Sequence, residues 1–113
     1  MNIKIQSRDF QLTEALHMQI SAKLQLILSR YGHKIRKTEV ILSDVNGPRG
    51  GVDKCCVMKF RINHLKTIVV KDTTSDMYES ISNCALRVRR TLERQFGRDR
   101  ITQRKIIPVL EGS

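Results

Sequence analysis

SDMYESISNCALRVRRTLERQFG, residues 75–97, reads as one amphipathic helix. Met77, Ile81, Cys84, Ala85, Val88, Leu92 and Phe96 recur at three- and four-residue steps, so they share one face. Arg87, Arg90, Arg94 and Arg98 recur at the same steps. At about 100° per residue they centre well over a right angle from the apolar stripe. The predicted helix therefore packs one face on a core and turns a row of guanidinium groups toward a partner. Ser75 is the expected N-cap, with Asp76 and Glu79 in the first turn and arginines in the last turns, as the helix dipole favours. The plain alternative is a solvated helical face.

Upstream of this helix the sequence alternates. Asn2 to Ser7 predicts a short strand, with Ile3 and Ile5 on one face and Lys4 and Gln6 on the other. Thr13 is the expected N-cap of a first helix whose main apolar face is Leu16, Ile20, Leu24, Ile27 and Tyr31. Ala15, Ala22 and Leu26 form a second strip, which predicts contact with a neighbouring helix; the alternative is an exposed leucine. Gly32 is expected to end that helix in a left-handed conformation. Arg36 to Val45 predicts a second strand, with Val40 and Leu42 facing one way and Ile41 the other. Asn46 to Gly51 predicts a flexible loop. Lys54 to Ile62 predicts a third strand, Asn63-His64 a two-residue turn, and Leu65 to Asp72 a fourth strand.

The expected fold class is α+β, in the order β-α-β-β-β-α. The first strand–helix–strand unit makes strands one and two parallel, and short connections make the rest antiparallel. The sheet is then mixed and four-stranded, in the order 1-2-3-4. Each helix has one wide apolar stripe, so two parallel helices pack on one sheet face and the other face stays partly open to water. Residues 1–98 form the expected domain, and residues 99–113 a basic and apolar C-terminal tail.

A chain of 113 residues fits one domain, and charged residues at 28% with apolar residues at 40% describe an ordinary folded protein. The net charge of +10 is not ordinary and points to a polyanionic partner. No apolar run approaches the roughly 20 residues of a membrane span. MNIKIQSRDF lacks the long apolar core of a signal peptide, and three cysteines make no disulfide framework, so the expected compartment is the cytoplasm. Cys55 and Cys56 are strand neighbours that point to opposite faces, and no Cys-x-x-Cys occurs. Cys84 falls on the apolar face of the last helix. His17, His33 and His64 are scattered, and GPRGG lies between two strands rather than before a helix. No acid/base pair assembles, so the residues describe a binding module. The rival is an enzyme using Cys55, Cys56 or His64.

MNIKI at residues 1–5, LTEAL at 12–16, VILS at 40–43 and Asp76-Met77-Tyr78, in that order, resemble the short ribosome hibernation-promoting factors. That family includes the ribosome-associated translation inhibitor. The similarity spans residues 1–98. It implies a β-α-β-β-β-α domain that binds the small ribosomal subunit and its RNA between head and body. There such a domain overlaps the sites of messenger and transfer RNA and silences the ribosome during starvation. The resemblance implies no catalysis, no cofactor, no metal, no small-molecule substrate and no membrane, with a monomer when free. Arg87, Arg90 and Arg94 fall where family members carry Lys or Arg on the last helix, and Lys23 falls on another such position; Arg98 continues the row by spacing. Leu26 and Ser29 stand where related inhibitors can have Lys. A double-stranded RNA-binding domain shares the element order, but it wants a basic start to its last helix, where this chain has Asp76 and Glu79.

Overall fold

The computed structural model describes residues 2–8, 11–44, 53–64 and 66–106, with side chains described as far as Phe96. The elements are β1 (Asn2–Arg8), α1 (Glu14–Tyr31), a 3-10 turn (Gly32–Lys34), β2 (Ile35–Asp44), β3 (Lys54–Ile62), β4 (Ile68–Thr74) and α2 (Met77–Ile106). They form a four-stranded sheet in the order β1-β2-β3-β4. β1 pairs parallel with β2, and β2–β3 and β3–β4 pair antiparallel. The α+β order expected from the sequence is the order observed. The predicted loop over 46–51 lies outside the described residues.

Both helices cover one sheet face. Leu16, Ile20, Leu24, Ile27 and Tyr31 of α1 meet Met77, Ile81, Cys84, Ala85, Val88 and Leu92 of α2 over Val40, Leu42, Cys56, Met58 and Phe60. Gln19 Nε2 donates to Ser82 Oγ at 3.2 Å, and further along both helices Arg30 faces Glu93 at 3.9 Å. Both partners advance in the same direction, so the helices run parallel. Tyr31 stacks on Phe96 at 6.0 Å between centroids and closes the far end of the pair.

Four local readings are corrected. Thr13 does cap α1, accepting from Leu16 N at 3.1 Å, but α2 is capped by Asp76 rather than Ser75. The Asp76 carboxylate accepts from Tyr78 N at 3.0 Å, and Thr74 at the end of β4 holds Asp76 in place by accepting from its backbone N–H at 3.1 Å. Gly32 is right-handed, at φ −57 and ψ −33, because the chain tightens into a 3-10 turn before β2 instead of reversing. The second strip of α1 does not pack, since Leu26 is 59% exposed. The helices touch through Gln19, Arg30 and Tyr31 instead. Finally, α2 does not stop at Gly97 but stays helical to Ile106.

The start of α2 is tied to the sheet by hydroxyls. Buried Ser80 donates to Lys54 O at 2.6 Å and shares a hydrogen bond with Thr74 Oγ1 at 2.7 Å. Beside it, Lys54 Nζ lies 3.2 Å from the buried Asp53 carboxylate and 3.1 Å from Asp44. A buried carboxylate needs such a partner. The hydrogen bond to Asp44 raises Lys54 above its usual 10.5 in spite of its burial.

Candidate nucleic-acid interface

The arginine row is set by the core beneath it. With Ile81, Cys84, Val88 and Leu92 held against the sheet, helical geometry turns Arg87, Arg90 and Arg94 toward the β4 edge. All three are exposed. They form one wall of a trough of about 510 Å³, together with Thr91; Thr67, Ile68, Val69 and Val70 form the other.

The three arginines are not equivalent. Arg87 Nη1 donates to Lys71 O at 2.7 Å and lies 3.8 Å from Asp72, whose carboxylate also accepts from Asn83 Nδ2 at 3.0 Å. It therefore lies over the backbone of the edge strand β4, which is one way a sheet protects its rim. Among the described residues Arg94 reaches only Thr91 Oγ1, at 3.5 Å. Arg90 has no partner among the described residues. Arg90 and Arg94 thus present nearly all of their donors outward. Each guanidinium fork matches a phosphate in two places.

The remaining expected contacts lie elsewhere. Lys23 is half-buried and lines a separate depression of about 240 Å³ on the α1–α2 seam with Leu26, Leu86 and Arg89. It is not brought together with the trough. Arg98 lies on α2, but its side chain is outside the described residues. Arg89 is a cation that the spacing argument missed. It falls out of step with Arg87, Arg90 and Arg94, and only the packing of α1 beside α2 makes it a neighbour of Lys23. The dense RVRR run at 87–90 was the available signal.

The thiols are placed as inert core groups. Cys55, Cys56 and Cys84 are all buried and unbridged. Cys84 Sγ donates to Cys56 O at 3.0 Å. The Cys56 thiol is pushed far above its ordinary 9.0, first by its hydrogen bond with the Cys84 thiol and then by burial. A thiol held protonated in this way is a poor nucleophile. His64 sits at φ 61 in the turn after β3, a left-handed position that His tolerates better than most residues. Among the described residues no group of three His, Cys, Asp or Glu side chains could hold a metal ion, and no helix is long and apolar enough to cross a membrane.

Residues 3–100 match the family model described as Sigma 54 modulation protein / S30EA ribosomal protein. No curated protein matches the chain. Among solved structures, a ribosomal subunit interface protein from Coxiella burnetii is 16% identical, with a TM-score of 0.71, over 86% of this chain and 99% of the other. The N-terminal domain of Protein Y from Thermus thermophilus is 22% identical, with a TM-score of 0.68, over 83% of this chain and 98% of the other. At these identities the two structures establish the shared fold.

Proposed function

The chain belongs to the Sigma 54 modulation protein / S30EA ribosomal protein family, and on that premise we propose that it is a ribosome hibernation factor that inhibits translation without catalysis. In this reading the folded domain enters the decoding channel of the small subunit in the cytoplasm, as a monomer, and occupies space that messenger and transfer RNA need. Ribosomal RNA phosphates hold it there. Arg90 and Arg94 make the leading contacts, Arg87 and Arg98 extend the row, and Lys23 adds a contact from the α1–α2 seam.

The observation that supports this most is the trough between β4 and α2, where exposed guanidinium groups stand in a row and two of them are unspent. A net charge of +10 adds a long-range attraction to RNA that needs no sequence. Phosphate contacts fix position and orientation but read no bases, so specificity has to come from the shape of the channel. The mechanism is therefore steric, and competition tests it. Protein prebound to purified small subunits should block the loading of a message and its initiator transfer RNA. If both load at unchanged affinity while the protein stays bound, the channel placement is wrong.

A further inference from the structure

The sheet face turned away from the helices also carries charge. Strand register shows which residues share that face. Lys37 stands opposite Arg61, and Glu39 opposite Lys59, across the β2–β3 pair. Lys59 in turn stands opposite Val69, and Val57 opposite Lys71, across the β3–β4 pair. Lys37 and Arg61 are exposed and Lys59 is half-exposed. Among the described residues none of the three is in an ion pair. Glu39, the one acid among them, accepts a hydrogen bond from Gln6 Nε2 at 3.3 Å instead.

These cations surround a shallow depression of about 190 Å³ that ends at Thr67. Thr67 also lines the arginine trough. The two basic surfaces therefore meet at the start of β4, with the exposed edge strand as the ridge between them. The described part of this sheet face carries no aromatic side chain; Tyr31, Phe60 and Phe96 all belong to the core on the other side. It has no platform on which a base could stack, so what it can take from RNA is the phosphate backbone. It also lacks the apolar wedge by which a surface enters a membrane.

We propose that the phosphate-binding surface turns the corner at Thr67 and continues over the open sheet face through Lys37, Lys59 and Arg61, so that the β4 edge sits as a ridge between two RNA backbones. The inference rests on the RNA-binding reading above and extends it to a second surface. Neither side alone would fix how far the domain rotates about the β4 axis; cations on both flanks would.

The test uses the full chain and purified small ribosomal subunits, titrated between 50 and 200 mM salt. One variant carries Lys37→Gln, Lys59→Gln and Arg61→Gln; another carries Arg90→Gln and Arg94→Gln. Each lost phosphate contact lowers the slope of log affinity against log salt by about 0.7–0.9, so the sheet variant should lose about 2–3 from its slope. The trough variant should lose about 1.4–1.8. A photo-crosslinker at position 59 of the otherwise unchanged protein should attach to ribosomal RNA, at a segment different from that reached from position 90. If the sheet variant keeps the wild-type slope and position 59 gives no RNA adduct, the second surface is refuted while the ribosome reading stands. If the trough variant alone keeps the wild-type slope, the arginine assignment fails and the sheet surface stands. If the unchanged protein ignores subunits but binds phosphatidylserine vesicles, both readings fall.

Discussion

Neutralising Arg90 and Arg94 together is the sharpest perturbation that the structure allows. Arg87 is a poor probe, because its guanidinium is engaged with Lys71 O at 2.7 Å and with Asp72. Removing it would expose the β4 edge and free a carboxylate, so lost binding would not separate contact from damage. Arg90 has no partner among the described residues, and Arg94 has one exposed contact at 3.5 Å. Replacing both by Gln should change stability by no more than about 0.5 kcal/mol, the range of surface substitutions. In a domain of this size that is a shift of about 2–4 °C in Tm. Binding should respond very differently. Two phosphate contacts account for a slope of about 1.4–1.8 in log affinity against log salt. Over the fourfold rise from 50 to 200 mM, the unchanged protein should therefore lose about 7- to 12-fold more affinity than the double variant. The assay is a fluorescence titration of labelled protein against small subunits, paired with a thermal scan. The control is Arg8→Gln with Lys66→Gln, which removes the same charge from exposed positions that line neither basic depression. General attraction should weaken alike in both variants, and only the Arg90/Arg94 pair should lose the extra slope. Equal losses in the two variants would refute the trough as the contact site.

Four further outcomes follow from the packing and the charge. Leu92 is fully buried in the shared core, so Leu92→Ala should cost about 2–5 kcal/mol in denaturant unfolding; a loss below about 1 kcal/mol would mean that the helix seam is not packed as described. The three thiols should react with a disulfide reagent only after unfolding, and rapid modification of the folded protein would overturn the inert-core placement. Because the folded state raises Cys56, both states are protonated below the ordinary thiol value of 9.0, but above it the unfolded chain releases its proton first; stability should therefore fall as pH climbs past 9.0, measured by denaturation at pH 8 against pH 10. Deleting residues 99–113 should leave a cooperatively unfolding domain, since Phe96 is the last side chain described against the core, and loss of cooperativity would move the domain boundary toward the C-terminus.

Much of this protein is determined by local sequence alone. The spacing of Leu16, Ile20, Leu24, Ile27 and Tyr31 names the buried face of α1 without omission, and all five are buried. On α2 the stripe Met77, Ile81, Cys84, Ala85, Val88 and Leu92 is buried and Phe96 is half-buried, whereas the buried Ser80 escaped an apolar pattern because it is a hydroxyl. Alternation in β3 separates Cys56, Met58, Phe60 and Ile62 from Lys59 and Arg61. These readings succeed because a helix or strand repeats at a fixed period, so which residues share a face is settled within the element. The sheet order also follows, because short connections and one crossover leave few arrangements.

What tertiary structure decided is which faces become neighbours and which charges are already spent. Periodicity treats Arg87, Arg90 and Arg94 as equals; only the approach of β4 engages Arg87 and leaves the other two outward. Lys23 belongs to the same set by resemblance, yet the packing of α1 beside α2 puts it in a separate depression with Arg89. Lys37, Lys59 and Arg61 come from two strands and share a patch only through the β2–β3 register, and Thr67 joins that patch to the trough from a third segment. Caps and helix ends shifted for a similar reason: Asp76 won over Ser75, and Gly32 stayed right-handed, because the direction of the adjoining strand sets the geometry of each end. Periods within an element are local properties of the chain, whereas register, edge exposure and the partners of a charge are settled between elements distant in sequence.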